Sequence, residues 1–338
     1  MPLSAPTIVT AVEAAAFPAP PDWPALDPSE AARHGADLSL VLRDGDGGEP
    51  LRGRCSLWWT DAPPLAGETL GVVGHFGATD AEAAHALLDA ACVELARRGC
   101  TLAAGPMDGN TWRRYRLVTE PGEEPPFFLE PTNPPAWPAW WEEAGWTPLA
   151  HYFSALAEDL TVRDPRAERV AERLASIGVT IRPIDPARFE AELDAIYDVS
   201  AVSFRDNYLY TPLARDEFVA QYAKVRPLVV PELAMIAEHE GRAVGFGFSL
   251  PDASERMRGA PARTIIVKTL AILPERRLYG GLGSLITDRT QATAHAMGFT
   301  RAIHALMHES NASLAISART ARRIRRYALY GRTLDAGR

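Results

Sequence analysis

The stretch Leu270-Ala271-Ile272-Leu273-Pro274-Glu275-Arg276-Arg277-Leu278-Tyr279-Gly280-Gly281-Leu282-Gly283-Ser284 holds the residue types that could bind an anion. An apolar, strand-like run stops at Pro274, three glycines follow between 280 and 283, and a helical pattern begins at Ser284. Glycines let a backbone bend with its N–H groups converging, and a helix start adds partial positive charge. Such a bend favours phosphate or pyrophosphate. No Lys-Ser or Lys-Thr follows the glycines, as a P-loop requires, and Gly281-Leu282-Gly283-Ser284-Leu285-Ile286 lacks the third glycine of a dinucleotide fingerprint. What remains is a different anion loop or plain structure.

The elements that must position this bend can be read on either side of it. Upstream, Leu233 to Glu240, Arg242 to Leu250 and Thr264 to Leu273 are β-rich, separated by Glu240-Gly241 and by the stretch Pro251 to Pro261. Downstream, a helix from Ser284 to Met297 stops at Gly298 and a strand runs from Arg301 to Met307; a helix from about Asn311 to Ala318 and a strand near Arg322 to Leu334 follow. The order is α/β or α+β around one mixed sheet. Earlier in the chain, Ala84, Leu87, Leu88, Ala91 and Leu95 form an apolar stripe with a capping box at Thr79 and Glu82 and a stop at Gly99. The Pro- and Trp-rich segment Gly122 to Pro148 excludes a long regular element, and its tryptophans are expected in core and inter-domain packing. Both halves show glycines, an amphipathic helix, a stop glycine, a short strand and an Asn-containing turn, so the two can share a fold.

The glycine segment resembles motif A of the GNAT (Gcn5-related N-acetyltransferase) family: strand, Leu-x-Val-x-Pro, Gln/Arg-x-x-Gly-x-Gly/Ala, helix. Leu270 to Pro274 fits the first part and Leu278 to Gly283 the second, with Leu278 where Gln or Arg is usual and Arg277 one residue away to supply the cation. Motif B, a strand followed by an Asn that opens a helix, is matched by Ala305-Leu306-Met307-His308-Glu309-Ser310-Asn311-Ala312-Ser313-Leu314. The resemblance spans roughly 165 to 335, and the whole chain looks like the larger two-domain GNAT proteins with a degenerate first copy.

This resemblance implies tandem GNAT-like domains, each a mixed, mostly antiparallel sheet flanked by helices: residues 1–160 without a CoA loop, and residues 161–338 binding acyl-CoA. It implies acetyl transfer from acetyl-CoA to a primary amine of a small molecule, with no metal; the alternatives are a non-catalytic acyl-CoA sensor and an aminoacyl-type transferase. The backbone from Tyr279 through Gly280, Gly281, Leu282 and Gly283 to Ser284 would hold the pyrophosphate, with Arg277 and Leu278 beside it. Leu270, Ala271 and Ile272 would hold the pantetheine arm, and Asn311 would either contact the cofactor or cap its helix. His308 and Glu309 are the expected proton acceptors, ahead of Asp206 and Glu238. No Tyr stands between Ala315 and Thr320 to protonate a leaving thiolate; Tyr327 and Tyr330 come later, on a strand.

At 338 residues the chain fits two domains of moderate size. A net charge of −8 argues against non-specific nucleic-acid binding and mildly favours cationic, amine-bearing substrates. The arginines at 319, 322, 323, 325 and 326 read as a solvated face. Cys55, Cys92 and Cys100 form no C-x-x-C pair, which points to a reducing, cytoplasmic setting. No signal peptide or membrane span is expected. His304 and His308, four apart on a strand, lie about 13 Å apart, too far for one ion.

Overall fold

The computed structural model describes residues 5–44, 50–310 and 320–335; the helix expected from Asn311 to Ala318 lies outside them. The apolar stripe of the first half folds as helix Ala81–Arg97 and buries Ala84, Leu87, Leu88, Ala91 and Leu95. Its cap is Asp80, where the sequence predicts Thr79. Asp80 Oδ1 accepts the Ala83 N–H at 2.9 Å, Arg52 donates to the other oxygen at 2.7 Å, and the Thr79 hydroxyl donates to the same carboxylate. A carboxylate accepts more strongly than a hydroxyl and complements the helix dipole, so the cap moves by one residue.

The strands are β1 (Thr7–Val9), β2 (Leu38–Arg43), β3 (Leu51–Trp58), β4 (Leu70–Ala78), β5 (Leu102–Gly105), β6 (Leu117–Glu120), β7 (Thr147–Ala157), β8 (Thr180–Pro183), β9 (Ala234–His239), β10 (Arg242–Pro251), β11 (Thr264–Ile272), β12 (Arg301–His308) and β13 (Arg322–Thr333). They form one sheet in the order β1-β2-β3-β4-β5-β13-β7-β12-β11-β10-β9-β8, with β6 pairing β13 beside this path. Among the described residues, only β4 with β5 and β11 with β12 are parallel. Parallel neighbours need a crossover, and helices Ala81–Arg97 and Leu282–Ala296 supply one each. The sheet is mixed and mostly antiparallel, as expected.

The Pro-rich segment has few regular backbone bonds of its own and is held by a buried charge. Arg325 on β13 donates to the carbonyls of Pro121 and Glu124 and pairs with Glu130, both side chains being no more than 3% exposed. The Tyr327 hydroxyl donates to the same Glu130 carboxylate. Trp137, Trp141 and Trp146 are buried, with Trp141 and Trp146 ring centroids 4.7 Å apart, so these tryptophans serve the core. Tyr327 and Tyr330 are fully buried as well. No helix among the described residues is long and apolar enough to cross a membrane.

Removing one partner of the buried pair leaves the other charge uncompensated, whereas removing both does not. Glu130→Ala is expected to lower unfolding free energy by about 3–5 kcal/mol in urea titration, and the double variant with Arg325→Met to recover much of that loss.

Candidate functional site

β11 and β12 pair in parallel from Thr264↔Arg301 to Val267↔His304 and then diverge. Beyond that point β11 stays paired with β10 as far as Ile272, and β12 stays paired with β7 as far as His308. One edge of Lys268 to Ile272 therefore has no strand partner among the described residues, although buried backbone N–H and C=O groups demand partners. A cavity of about 1400 Å³ opens along this edge. Leu270, Ala271 and Ile272 line it. So do Tyr279, Gly280, Gly281, Gly283 and Ser284 past the bend, which places most of the expected cofactor residues on one wall.

At the bend, Gly281 is the N-cap of helix Leu282–Ala296 and has φ 83°, a left-handed value that a side chain resists. A Cβ there would also meet Val170 at 3.0 Å. The first intrahelical bond is Leu285 N–H to the Gly281 carbonyl at 3.0 Å, so the N–H groups of Leu282, Gly283 and Ser284 precede the ladder, and a glycine cap offers them no side chain. Arg173 draws the carbonyls of Leu278 and Gly280 toward itself. The planar peptide then turns the Gly281 N–H to the opposite side. Leu282 is fully buried in the core and Leu278 is exposed; neither lines the cavity. The Arg277 side chain and all of Asn311 lie outside the described residues.

At the far end, His308 lines the cavity with its ring centroid 4.9 Å from that of Tyr152. Burial, and then the Arg116 guanidinium, hold its pKa below the ordinary value. Its Nδ1 accepts the Ser310 N–H at 3.1 Å, so the neutral ring carries its proton on Nε2 and presents a donor. Acting as a base requires breaking that contact. Glu309 does not line the cavity; it is 38% exposed and 3.9 Å from Arg326. Asp206 lines the cavity but is 90% exposed, and Glu238 is paired with Arg182 at 2.6 Å. Trp112, Arg113, Arg114 and Tyr115 of the first half also line the cavity.

Two lining residues escape sequence reasoning, Arg116 and Lys268. Lys268 had one signal, a lone charge in the apolar run Thr264 to Leu273. Burial and the neighbouring Arg116 push its pKa down to about 8.

No family model matches the chain. A bacterial ceramide synthase of Caulobacter vibrioides is 26% identical over 186 residues, covering 54% of this chain and 48% of that protein. Protein YghO of Escherichia coli is 27% identical over 190 residues, with coverages of 54% and 48%. The chain spans about half the length of these curated relatives. Among solved structures, a GCN5-related N-acetyltransferase from Sphaerobacter thermophilus superposes with a TM-score of 0.50 at 13% identity, covering 96% of this chain and 89% of that one. The GCN5-related glucosamine N-acetyltransferase region of a fungal multi-domain GH3 β-N-acetylglucosaminidase gives 0.51 at 16% identity, covering 92% of this chain and 35% of that one. The chain has the two-domain GNAT fold. In the first GNAT-like half the corresponding divergence exists but is filled. β4 and β5 separate after Val72↔Ala104, and the chain itself then occupies the gap. The Met107 N–H donates to Val73 at 2.8 Å, Asp108 accepts the His75 N–H at 2.6 Å, and a Cβ at Gly74 would strike the Met107 carbonyl at 2.1 Å.

Beneath this filled gap, His34, His75 and Asp108 bring ligand atoms within 4.8 Å of one another. The arrangement is a hydrogen-bond chain: His34 Nδ1 to His75 Nε2 at 2.8 Å and His75 Nδ1 to Ser56 at 2.9 Å, with Arg114 on Asp108 at 3.3 Å. Burial first, and then nearby arginines, push both histidines down to about 4. Between pH 6.5 and 4 the unfolded chain therefore binds protons that the folded protein refuses. Stability is expected to fall as pH drops through that window, by up to about 1.4 kcal/mol per pH unit for each histidine kept neutral. Urea midpoints at pH 7 and pH 5 check this, with a shallower fall in His75→Gln.

Proposed function

We propose that the protein is an acyltransferase that moves an acyl group, acetyl in the simplest case, from acyl-CoA to a primary amine of a small molecule. The observation that carries this reading is the continuity, along one cavity wall, of the unpaired β11 edge and the uncapped helix start at Leu282. An acyl-CoA has the matching chemistry: an anionic pyrophosphate, a pantetheine arm with two amides, and a thioester. The N–H groups from Gly281 to Ser284 suit the pyrophosphate, because backbone donors and helix dipole act together there. The edge of Leu270 to Ile272 can pair with the amides of the arm as one strand pairs with another. A backbone N–H at the thioester carbonyl would stabilise the charge that develops when the amine attacks, and much of the remaining rate comes from holding amine and carbonyl together.

The amine must reach the carbonyl neutral. His308, held neutral and facing the same cavity, is a donor in this arrangement; its Nε2–H can hydrogen-bond the departing thiolate, which takes its proton from solvent. The amine's proton would then leave through water toward Asp206. Ceramide is an amide, so the name of the Caulobacter relative is in keeping with acyl transfer to nitrogen. A second reading, an acyl-CoA sensor without turnover, has in its favour that Asp206, the one lining carboxylate not tied to a buried arginine among the described residues, is almost fully exposed.

Ser284 is the residue of choice for a test. It occupies the third position of its helix, where an acidic side chain complements the helix dipole, so Ser284→Asp is expected to keep the fold while opposing the pyrophosphate. Calorimetric titration with acetyl-CoA should show binding by the wild type and at least about tenfold weaker binding by Ser284→Asp at unchanged Tm. Absence of binding to the folded wild type would sink the acyl-CoA assignment. Binding without thiol release across a panel of amines would favour the sensor.

A further inference from the structure

The cavity presents five arginine and lysine side chains, and they fall into two groups. Arg113 is tied to Glu217 at 3.0 Å, Arg114 to Asp108 at 3.3 Å and Arg166 to Asp164 at 2.9 Å. Arg116 and Lys268 have no carboxylate within ion-pair distance among the described residues. Of the acids on the walls, Glu130 is consumed by Arg325 and Tyr327, and Asp206 sits in solvent 3.8 Å from Arg205.

Arg116 is only 6% exposed. Its guanidinium lies 3.9 Å from the Tyr115 ring centroid and 4.0 Å from that of Tyr152, donates once to the Leu306 carbonyl at 3.3 Å, and has an Nε with no acceptor. Arg116 and Leu306 both have left-handed backbones, φ 71° and 58°, which non-glycine residues adopt at a cost and which tend to gather at ligand sites. Lys268 sits at a bulge: Phe248 pairs with Thr269 and Ser249 with Val267, so Lys268 has no counterpart on β10. Lys268 follows Val267, the last residue paired with β12 at His304, and Arg116 donates to Leu306 two residues further along β12, so both cations stand where the two strands part. Two such charges without a counter-ion are costly unless an anion arrives. That anion is not the pyrophosphate. Lys268 lies four residues up the strand from Ile272, about 13 Å away along β11.

We infer that Arg116 and Lys268 form an anion subsite at the acyl-transfer end of the cavity, and that the acceptor amine carries a carboxylate or phosphate on the same molecule. The inference rests on the acyltransferase reading and narrows its substrate class. A planar guanidinium offers paired donors to such a group, and the lysine adds a point charge. It also reverses the expectation drawn from the net charge of −8: the protein is acidic, but this cleft is not.

Matched acceptor pairs test it: an α-amino acid against its carboxamide, and phosphoethanolamine against ethanolamine. The wild type should prefer the anionic member by about 10- to 100-fold in kcat/KM, the range of one or two charge-assisted hydrogen bonds, and the pair that shows the preference names the anion. Lys268→Gln should abolish most of that preference through KM, leave kcat for the neutral member within about twofold, and leave acetyl-CoA affinity by calorimetry unchanged. Intact CoA binding separates failure of this subsite from failure of the donor assignment. A second measurement needs no turnover: inorganic phosphate or acetate should protect Lys268 from acetic anhydride labelling, read by mass spectrometry, and protection should weaken in Arg116→Lys. A wild type that prefers the neutral amine overturns the proposal. So does an equal loss of kcat for both members in Lys268→Gln, which would assign the cation to the reacting thioester. If no amine is turned over, absence of protection by either anion overturns it as well.

Discussion

Two neighbouring parallel strands that separate leave backbone donors and acceptors facing each other across a gap, and every such group needs a partner. That requirement organises this protein. It arises twice, after Val72↔Ala104 and after Val267↔His304. In the first half the chain answers it with Met107 and Asp108, and the gap becomes core. In the second half no strand among the described residues answers it, and a cavity follows the open edge to a helix start whose cap is a bare glycine. The same fold thus yields one closed and one open divergence, and the difference lies in a few residues after β5.

Charge is arranged on the same principle of local completion. Most ion pairs that touch the cavity are closed within the protein, as Arg325 is by Glu130 and Arg113 by Glu217. Arg116 and Lys268 are the exception among the described lining residues, and the aromatic faces of Tyr115 and Tyr152 hold the former in place without neutralising it. Aromatic quadrupoles attract a cation but leave its hydrogen-bonding capacity free.

Much of this was legible in the residues. The strand from Thr264, the glycine bend and the helix that follows are all where periodicity and punctuation put them, because each depends on neighbours close in sequence. Asp80 displaced Thr79 as a cap because Arg52, 28 residues earlier, reinforces the carboxylate. Arg116 and Lys268 were not legible as a pair. Their meeting depends on a left-handed backbone at Arg116, a bulge at Lys268, and a sheet order that joins residues some 150 positions apart. Local pattern carries none of these. His308 was found and Glu309 was not separated from it, since β12 ends at His308 and Glu309 begins a turn whose N–H goes to the His151 carbonyl, a contact between residues far apart in sequence.

The position of β13 in the sheet has a temporal meaning. It lies between β5 and β7, with β6 on its flank, so the strand that joins the two halves is made after every other strand. During vectorial synthesis, β5 and β7 must wait with open edges while some 165 residues of the second half leave the ribosome. The segment from Pro121 to Glu130, which depends on Arg325, waits with them. The first GNAT-like half is thus first in sequence but cannot be finished until β13 has been made.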